Sequence, residues 1–166
     1  WLVRMLDAGE DPLYIARRMV RFASEDVGLA DPAALSVSLN AMEAYRFLGS
    51  PEGDLALAEA ALYLAAAPKS NAAYRALEEV RKTIRETGVL PVPLHLRNAP
   101  TGLMKNLGYG KDYKYAHDYA NAQVDQQALP VKLSNRTFYR PTDRGYEARV
   151  RERLRLWRQQ KSKTFR

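Results

Sequence analysis

The chain has 166 residues, 46% of them hydrophobic, which is enough to enclose a core as one domain without disulfides or metals; it has no cysteine, which excludes a disulfide framework and a thiolate site and is compatible with a reducing cytosol. Its net charge of +7 is unevenly placed: up to Val131 there are 14 Lys and Arg against 16 Asp and Glu, a net of −2, and from Lys132 onward there are 12 against 3, a net of +9. No apolar run approaches the ~20 residues of a membrane span, and the basic tail points to an acidic partner, nucleic acid being the commonest.

The opening WLVRML forms no signal peptide and reads as the last turns of a helix without an initiator methionine, as expected of a piece of a longer protein. Three helix starts follow with the same punctuation, an Asp or Ser cap and then Pro in the first helical position: Asp11-Pro12, Asp31-Pro32 and Ser50-Pro51. Gly28 and Gly49 supply the stops, so helices of about 16 to 18 residues are expected, joined by very short connections. The first of them places Leu13, Ile15, Ala16, Met19, Val20, Phe22, Ala23 and Val27 over half its circumference, with Arg17, Arg18 and Arg21 opposite. The third, from Leu55 to Ala67, carries Glu59 as its one charge and is expected to be the central buried helix. A fourth runs to about Thr87, and its pattern turns Ala73, Leu77, Val80 and Ile84 inward.

The stretch from Pro91 to Asp118 interrupts this helical pattern. Pro91 and Pro93 favour extended backbone, and a short helix is expected over Thr101 to Leu107 with Leu103 and Leu107 on its inner face. Gly108 then ends the helix and Gly110 permits a tight turn. Tyr109, Tyr113, Tyr115 and Tyr119 follow, rings that are expected to pin the segment to a core. Both histidines, His95 and His117, lie here. With Asp118 they could be metal ligands or an acid-base pair, but their spacing fits no metal site, and the stronger reading is a clasp in which His95, Arg97 and Asn98 are the hydrogen-bonding points that hold the loop, with His95 and Arg97 substantially buried. Ser24, Glu25 and Asp26 place negative charge at a helix end that disfavours it, which calls for a cation such as Arg97, Lys69 or an arginine of another subunit, or else for solvent.

A last helix is expected over about 142–160, before a tail at 161–166. It aligns Tyr146, Val150, Leu154 and Trp157 at spacings of 4, 4 and 3, and on another face it carries Arg144, Arg151, Arg155 and Arg158. With Lys161 and Lys163 these could neutralise nucleic-acid phosphates, or they could form an ordinary solvated face. Lys69-Ser70 and Gly108-Tyr109-Gly110-Lys111 lack the G-x-x-x-x-G-K-[ST] run of a phosphate-binding loop. No nucleophile triad is supported either.

The segments EDPLYIARRMVRFASEDVGLADP, SPEGDLALAEAALYLAAAPKSNAAY, PVPLHLRNAPTGLMKNLGYGKDYKYAHDY and YRPTDRGYE, in which Lys69 and Asn71 also fall, together resemble the C-terminal region of the replication-associated recombination protein A (MgsA) family, relatives of the Werner helicase-interacting ATPases. The resemblance implies an all-α, tetramer-forming C-terminal domain of a clamp-loader-like AAA+ ATPase that acts on single-stranded or fork DNA with replication-fork proteins, in the cytoplasm at the nucleoid. ATP and magnesium would belong to an ATPase core whose Walker motifs are missing from these residues. The chain is therefore expected to be a single, compact, non-catalytic oligomerisation domain over 1–166, all-α with a long irregular proline- and tyrosine-rich segment. It should hold no cofactor or metal of its own, and single-stranded DNA binding through the basic helix is the alternative.

Overall fold

The computed structural model describes residues 1–163, with side chains to Gln159. Among these residues all regular structure is helical, as expected: α1 (Leu2–Asp7), α2 (Pro12–Phe22) continued by one π-helical turn (Ala23–Val27), α3 (Ala33–Leu48), α4 (Asp54–Ala66), α5 (Ala72–Thr87), α6 (Gly102–Asn106) and α7 (Tyr146–Lys163). None of these helices is long and apolar enough to cross a membrane. The chain divides into two compact units, one comprising Trp1–Val80 with the segment from Phe138 onward, the other Arg81–Thr137.

The first unit is built on small residues. Ala23 and Val27 of the π turn, Ala34 of α3, and Leu64 and Ala67 at the end of α4 form a buried cluster, with Met19, Phe22 and Tyr63 packed around it. On α3, Ala34, Ser38 and Ala41 are buried at spacings that keep them on one face, and Leu57, Ala60 and Leu64 do the same on α4. Such small faces let helix axes approach closely. Ser38 stays satisfied by donating to the Ala34 carbonyl at 2.8 Å.

Two of the three expected starts are as read. Asp11 accepts from the Leu13 N–H at 2.9 Å with Pro12 opening α2, and Asp31 accepts from the Ala33 N–H at 3.1 Å while its other oxygen takes the Tyr63 hydroxyl at 2.7 Å. The third differs. Gly49 to Gly53 close a turn through a cis Ser50–Pro51 bond, the Gly53 N–H donates to the Gly49 carbonyl at 2.6 Å, and α4 begins only at Asp54.

Three expected inner faces are also corrected. Helix α4 is buried along one line only, and Leu55 and Leu62 are 75% and 74% exposed, because Leu57, Ala60 and Leu64 already fill the side facing α3. On α5 the buried positions are Ala72 and Thr83, while Ala73, Leu77 and Ile84 are exposed and Val80 is half-buried. The helix is set at its start by the Ala72 N–H donating to Ser70 Oγ at 3.3 Å, and Thr83 Oγ1 accepts from Arg136 at 3.2 Å. Helix α7 starts at Tyr146, four residues later than expected, and its seam is half-buried only at Val150 and Leu154, with Tyr146 and Trp157 exposed.

The second unit is held by hydrogen bonds and encloses no fully buried apolar side chain among the described residues. The extended arm through Pro93 leads to a single 3-10 turn (Leu94–Leu96), whose Leu94 carbonyl accepts from the Gly110 N–H at 3.0 Å. Thr101 caps α6 by accepting from the Met104 N–H at 3.3 Å; the helix ends at Asn106, and Gly108, with a φ of +82°, follows as the expected stop. Leu103 and Leu107, expected to face inward, are 71% and 57% exposed, since the short helix turns Met104 to the inside. Tyr113, Tyr115 and Tyr119 are exposed as well, and only Tyr109 is half-buried, so three of the four rings expected to pin a core do not.

Gly145 marks the tightest approach in the first unit. Its φ is +52°, and a Cβ there would overlap the Ala30 carbonyl and lie 2.7 Å from the Pro68 ring. Gly145→Ala is expected to lower stability by ~2–3 kcal/mol in thermal or urea unfolding, against ~1 kcal/mol for Gly9→Ala, where φ is also positive but nothing lies within 4 Å. Equal losses at the two sites would show that the close approach contributes nothing.

Candidate functional site

The basic helix is positioned by a buried carboxylate. Glu147, in the first turn of α7, is completely buried. Its Oε2 accepts from Ser70 Oγ at 2.5 Å, from Thr142 Oγ1 at 2.6 Å and from the Thr142 N–H at 3.0 Å, and its Oε1 accepts from the Tyr139 hydroxyl at 2.7 Å. Burial pushes this carboxyl up, but the hydrogen bonds from Ser70, Thr142 and Tyr139 more than offset it and hold the group below its ordinary value. Burial, and then the bond to Glu147, pushes the Tyr139 phenol up.

Ser70 extends the node further. Its N–H donates to the Asp26 carbonyl at 2.7 Å, and its own carbonyl lies against Gly28, where a Cβ would come within 2.7 Å. Three chain segments far apart in sequence therefore meet at one serine. With the carboxylate sealed from solvent and its lone pairs taken by donors, the cluster is a fastening and has no reacting face.

The arginines read as one stripe are divided by the structure. Arg144 precedes α7, so it leaves the stripe and donates to the Lys69 carbonyl at 3.1 Å. Arg151, Arg155 and Arg158 do share a face, and with Arg140, Pro141 and Leu154 they line an open groove of about 450 Å³. Most of that charge is balanced: Arg140 pairs with Glu79 at 2.7 Å, Arg151 with Asp143 at 3.6 Å and Arg155 with Glu152 at 2.7 Å. The side chains of Lys161 and Lys163 lie outside the described residues.

The acidic helix end is met differently from either cation expected. Glu25 pairs with Arg21 of its own helix at 2.7 Å, Ser24 donates to the Val20 carbonyl at 3.2 Å, and the Asp26 carbonyl is used by Ser70. Lys69 is turned instead to the end of α4, where its ammonium donates to the carbonyls of Leu64 at 2.7 Å and of Ala67 and lies 5.4 Å from the Phe22 ring. Asn71 is exposed, and its carbonyl accepts from the Arg75 N–H at 3.0 Å in the first turn of α5.

In the arm, His95 and Arg97 are half-buried, short of the substantial burial expected, because the unit has no apolar interior to receive them. Both nevertheless hold backbone or ring partners. His95 Nε2 lies 2.8 Å from the Gln127 carbonyl, which requires the proton on that nitrogen. Arg97 donates to the Val92 carbonyl at 2.8 Å and to the Tyr109 hydroxyl at 3.1 Å, stacking over that ring. Asn98 is exposed, as is His117, whose ring lies 5.0 Å from that of Tyr115. Among the described residues no group of three or more His, Cys, Asp or Glu is placed to hold a metal. The node that sequence reasoning missed, Ser70, Tyr139, Thr142 and Glu147, lies within two of the segments that carry the family resemblance, so its signal was present as a motif without an assigned role.

The sequence profile described as "MgsA AAA+ ATPase C terminal" matches residues 1–158. A relative named Replication-associated recombination protein A from Coxiella burnetii is 53% identical over 161 residues, covering 95% of this chain and 36% of its own. The protein of the same name from Escherichia coli K12 is 48% identical over 155 residues, 93% of this chain and 35% of its own. ATPase WRNIP1 from Dictyostelium discoideum is 47% identical over 140 residues, covering 84% of this chain and 16% of its own. The chain thus spans about a third of the length of the bacterial relatives it matches.

Glu147→Gln is expected to destabilise the fold by ~3 kcal/mol at pH 7, since it weakens several bonds to a buried charge and introduces an amide N–H₂ among donors. The folded-state carboxyl sits below its unfolded value of 4.5, so its contribution is complete above that pH and is lost as pH falls through the folded value. Urea unfolding from pH 7 to pH 3 should therefore show the gap between wild type and Glu147→Gln narrowing toward acid. A gap that is constant with pH would mean that the ionised form is not what the node holds.

Proposed function

The chain belongs to the MgsA AAA+ ATPase C-terminal family, and from that premise we propose that it is the non-catalytic, tetramer-forming assembly domain of a clamp-loader-like ATPase acting on DNA at stalled replication forks. ATP and magnesium would be handled by the two thirds of such a protein that lie outside this chain, and single-stranded or fork DNA and replication-fork proteins would be partners of the whole. Such a protein would work in the cytoplasm at the nucleoid.

The observation that carries the assembly reading is the apolar surface left open on the first unit. Phe47 at the end of α3 is 89% exposed, and close by in sequence Leu55 and Leu62 lie two turns apart on one side of α4. Apolar surface of this kind, on helices that already have a packed inner face, marks a protein interface. DNA contact through α7 is the second reading, favoured by the groove that Arg151, Arg155 and Arg158 share with Arg140. Its weakness is that Arg140, Arg151 and Arg155 each have an acidic partner, so a phosphate would have to compete with a carboxylate already in place.

Light scattering of the chain at tens of micromolar should give about four times the 18.8 kDa monomer mass, and a monomer would overturn the assembly reading. For the second reading, Arg151→Gln, Arg155→Gln and Arg158→Gln together should weaken binding of a single-stranded oligonucleotide several-fold and flatten its salt dependence by up to about three phosphate contacts. Arg144 is left out of that set because it fastens the start of α7. Unchanged affinity and slope would remove the DNA reading.

A further inference from the structure

We propose that the arm spanning Arg81–Thr137 is the element by which one copy of this chain grips the next, laying its exposed leucines and tyrosines on the exposed apolar residues of α3 and α4 of a second copy. The inference rests on the assembly reading and adds to it which surfaces meet. A segment of this length with no fully buried apolar side chain has little hydrophobic burial to offset the conformational entropy of ordering its backbone. It nevertheless presents Leu103, Leu107, Tyr113, Tyr115 and Tyr119 to solvent. Side chains of this size, half exposed, each leave ~100 Å² uncovered, so with Val89, Val92 and Val131 the arm offers ~800 Å², the share of one partner in a standard interface. Tyrosine is enriched at interfaces, and exposed leucines beside it without an enclosed core add apolar area of the kind that interface centres bury.

The occupant follows from charge. Residues 81–137 carry 9 Lys and Arg against 4 Asp and Glu, a net of +5, whereas residues 33–67 carry Arg46 against Glu43, Glu52, Asp54 and Glu59, a net of −3. The acidic stretch is the one that exposes Phe47, Leu55 and Leu62, so apolar surface meets apolar surface inside a frame of opposite charge. The two faces are different patches of the same chain, which makes the contact head-to-tail; such contacts close into a ring when the rotation between copies permits. Nucleic acid suits the arm less well, because Asp112 and Asp118 stand among its tyrosines and its leucines offer a base nothing to stack on.

Two variants of the 166-residue chain test the pairing, L103E/L107E on the arm and L55K/L62K on α4. All four positions are exposed, so circular dichroism should report unchanged helix content. Each variant alone should fall to the 18.8 kDa monomer in sedimentation velocity, while an equimolar mixture, which keeps one intact arm and one intact α4 face, should recover a dimer. Wild-type assembly by L103E/L107E would overturn the arm's role, and a mixture that stays monomeric would overturn its pairing with α4. If Tyr113→Ser, Tyr115→Ser and Tyr119→Ser together abolish oligo-dT binding yet leave the mass unchanged, the face belongs to nucleic acid and the proposal falls. A wild-type monomer would instead sink the assembly reading itself.

Discussion

The fold of the first unit depends on a carboxylate held out of water without a cation. Moving such a group into a low-dielectric interior costs several kcal/mol, and only a full set of donors makes it tolerable. Glu147 has that set in Ser70, Tyr139 and Thr142, and Thr142 contributes both its hydroxyl and its N–H. Each donor comes from a different structural context: the α4–α5 connection, the segment entering the last helix, and the turn before it. Because Ser70 is also bonded to Asp26 at the end of the π turn, the same serine joins the early helices to the late one. The position of α7, and with it the groove that gathers Arg151, Arg155 and Arg158, follows from this node.

The two units show two ways of ordering a chain. The first buries alanines, leucines and valines on narrow helix faces and leaves larger residues such as Phe47, Leu55 and Leu62 outside. The second satisfies its backbone through turns, His95, Arg97 and side-chain amides, with its apolar residues outward. Hydrogen bonds exchanged for those with water contribute little net stability, whereas apolar burial contributes most of it. A unit of the second kind is therefore suited to being covered by another protein surface.

Features set by local chemistry could be read from the residues: the helical class, the caps at Asp11 and Asp31, the stop after α6 at Gly108, and the use of His95 and Arg97 as hydrogen-bonding points. The motifs also pointed to the family, since segments of the right residues in order survive without any knowledge of geometry. Periodicity misled where a helix is amphipathic but its apolar face is not covered within the chain. Leu77 and Ile84 on α5 and Leu103 and Leu107 around α6 follow the pattern of core residues and stand in solvent. A helical repeat of apolar residues identifies a face suited to burial without saying which chain will cover it.

What the sequence determined by itself, then, is which segments are helical, where most of them start and stop, and to which family they belong, because caps, prolines and glycines act over a few residues. Only the tertiary structure decided that Arg144 fastens the start of α7 while Arg151, Arg155 and Arg158 line a groove, and that Glu147 is the buried centre of a node. Those assignments depend on partners up to 77 positions apart, as Ser70 and Glu147 are, and no local pattern encodes a contact made across that distance.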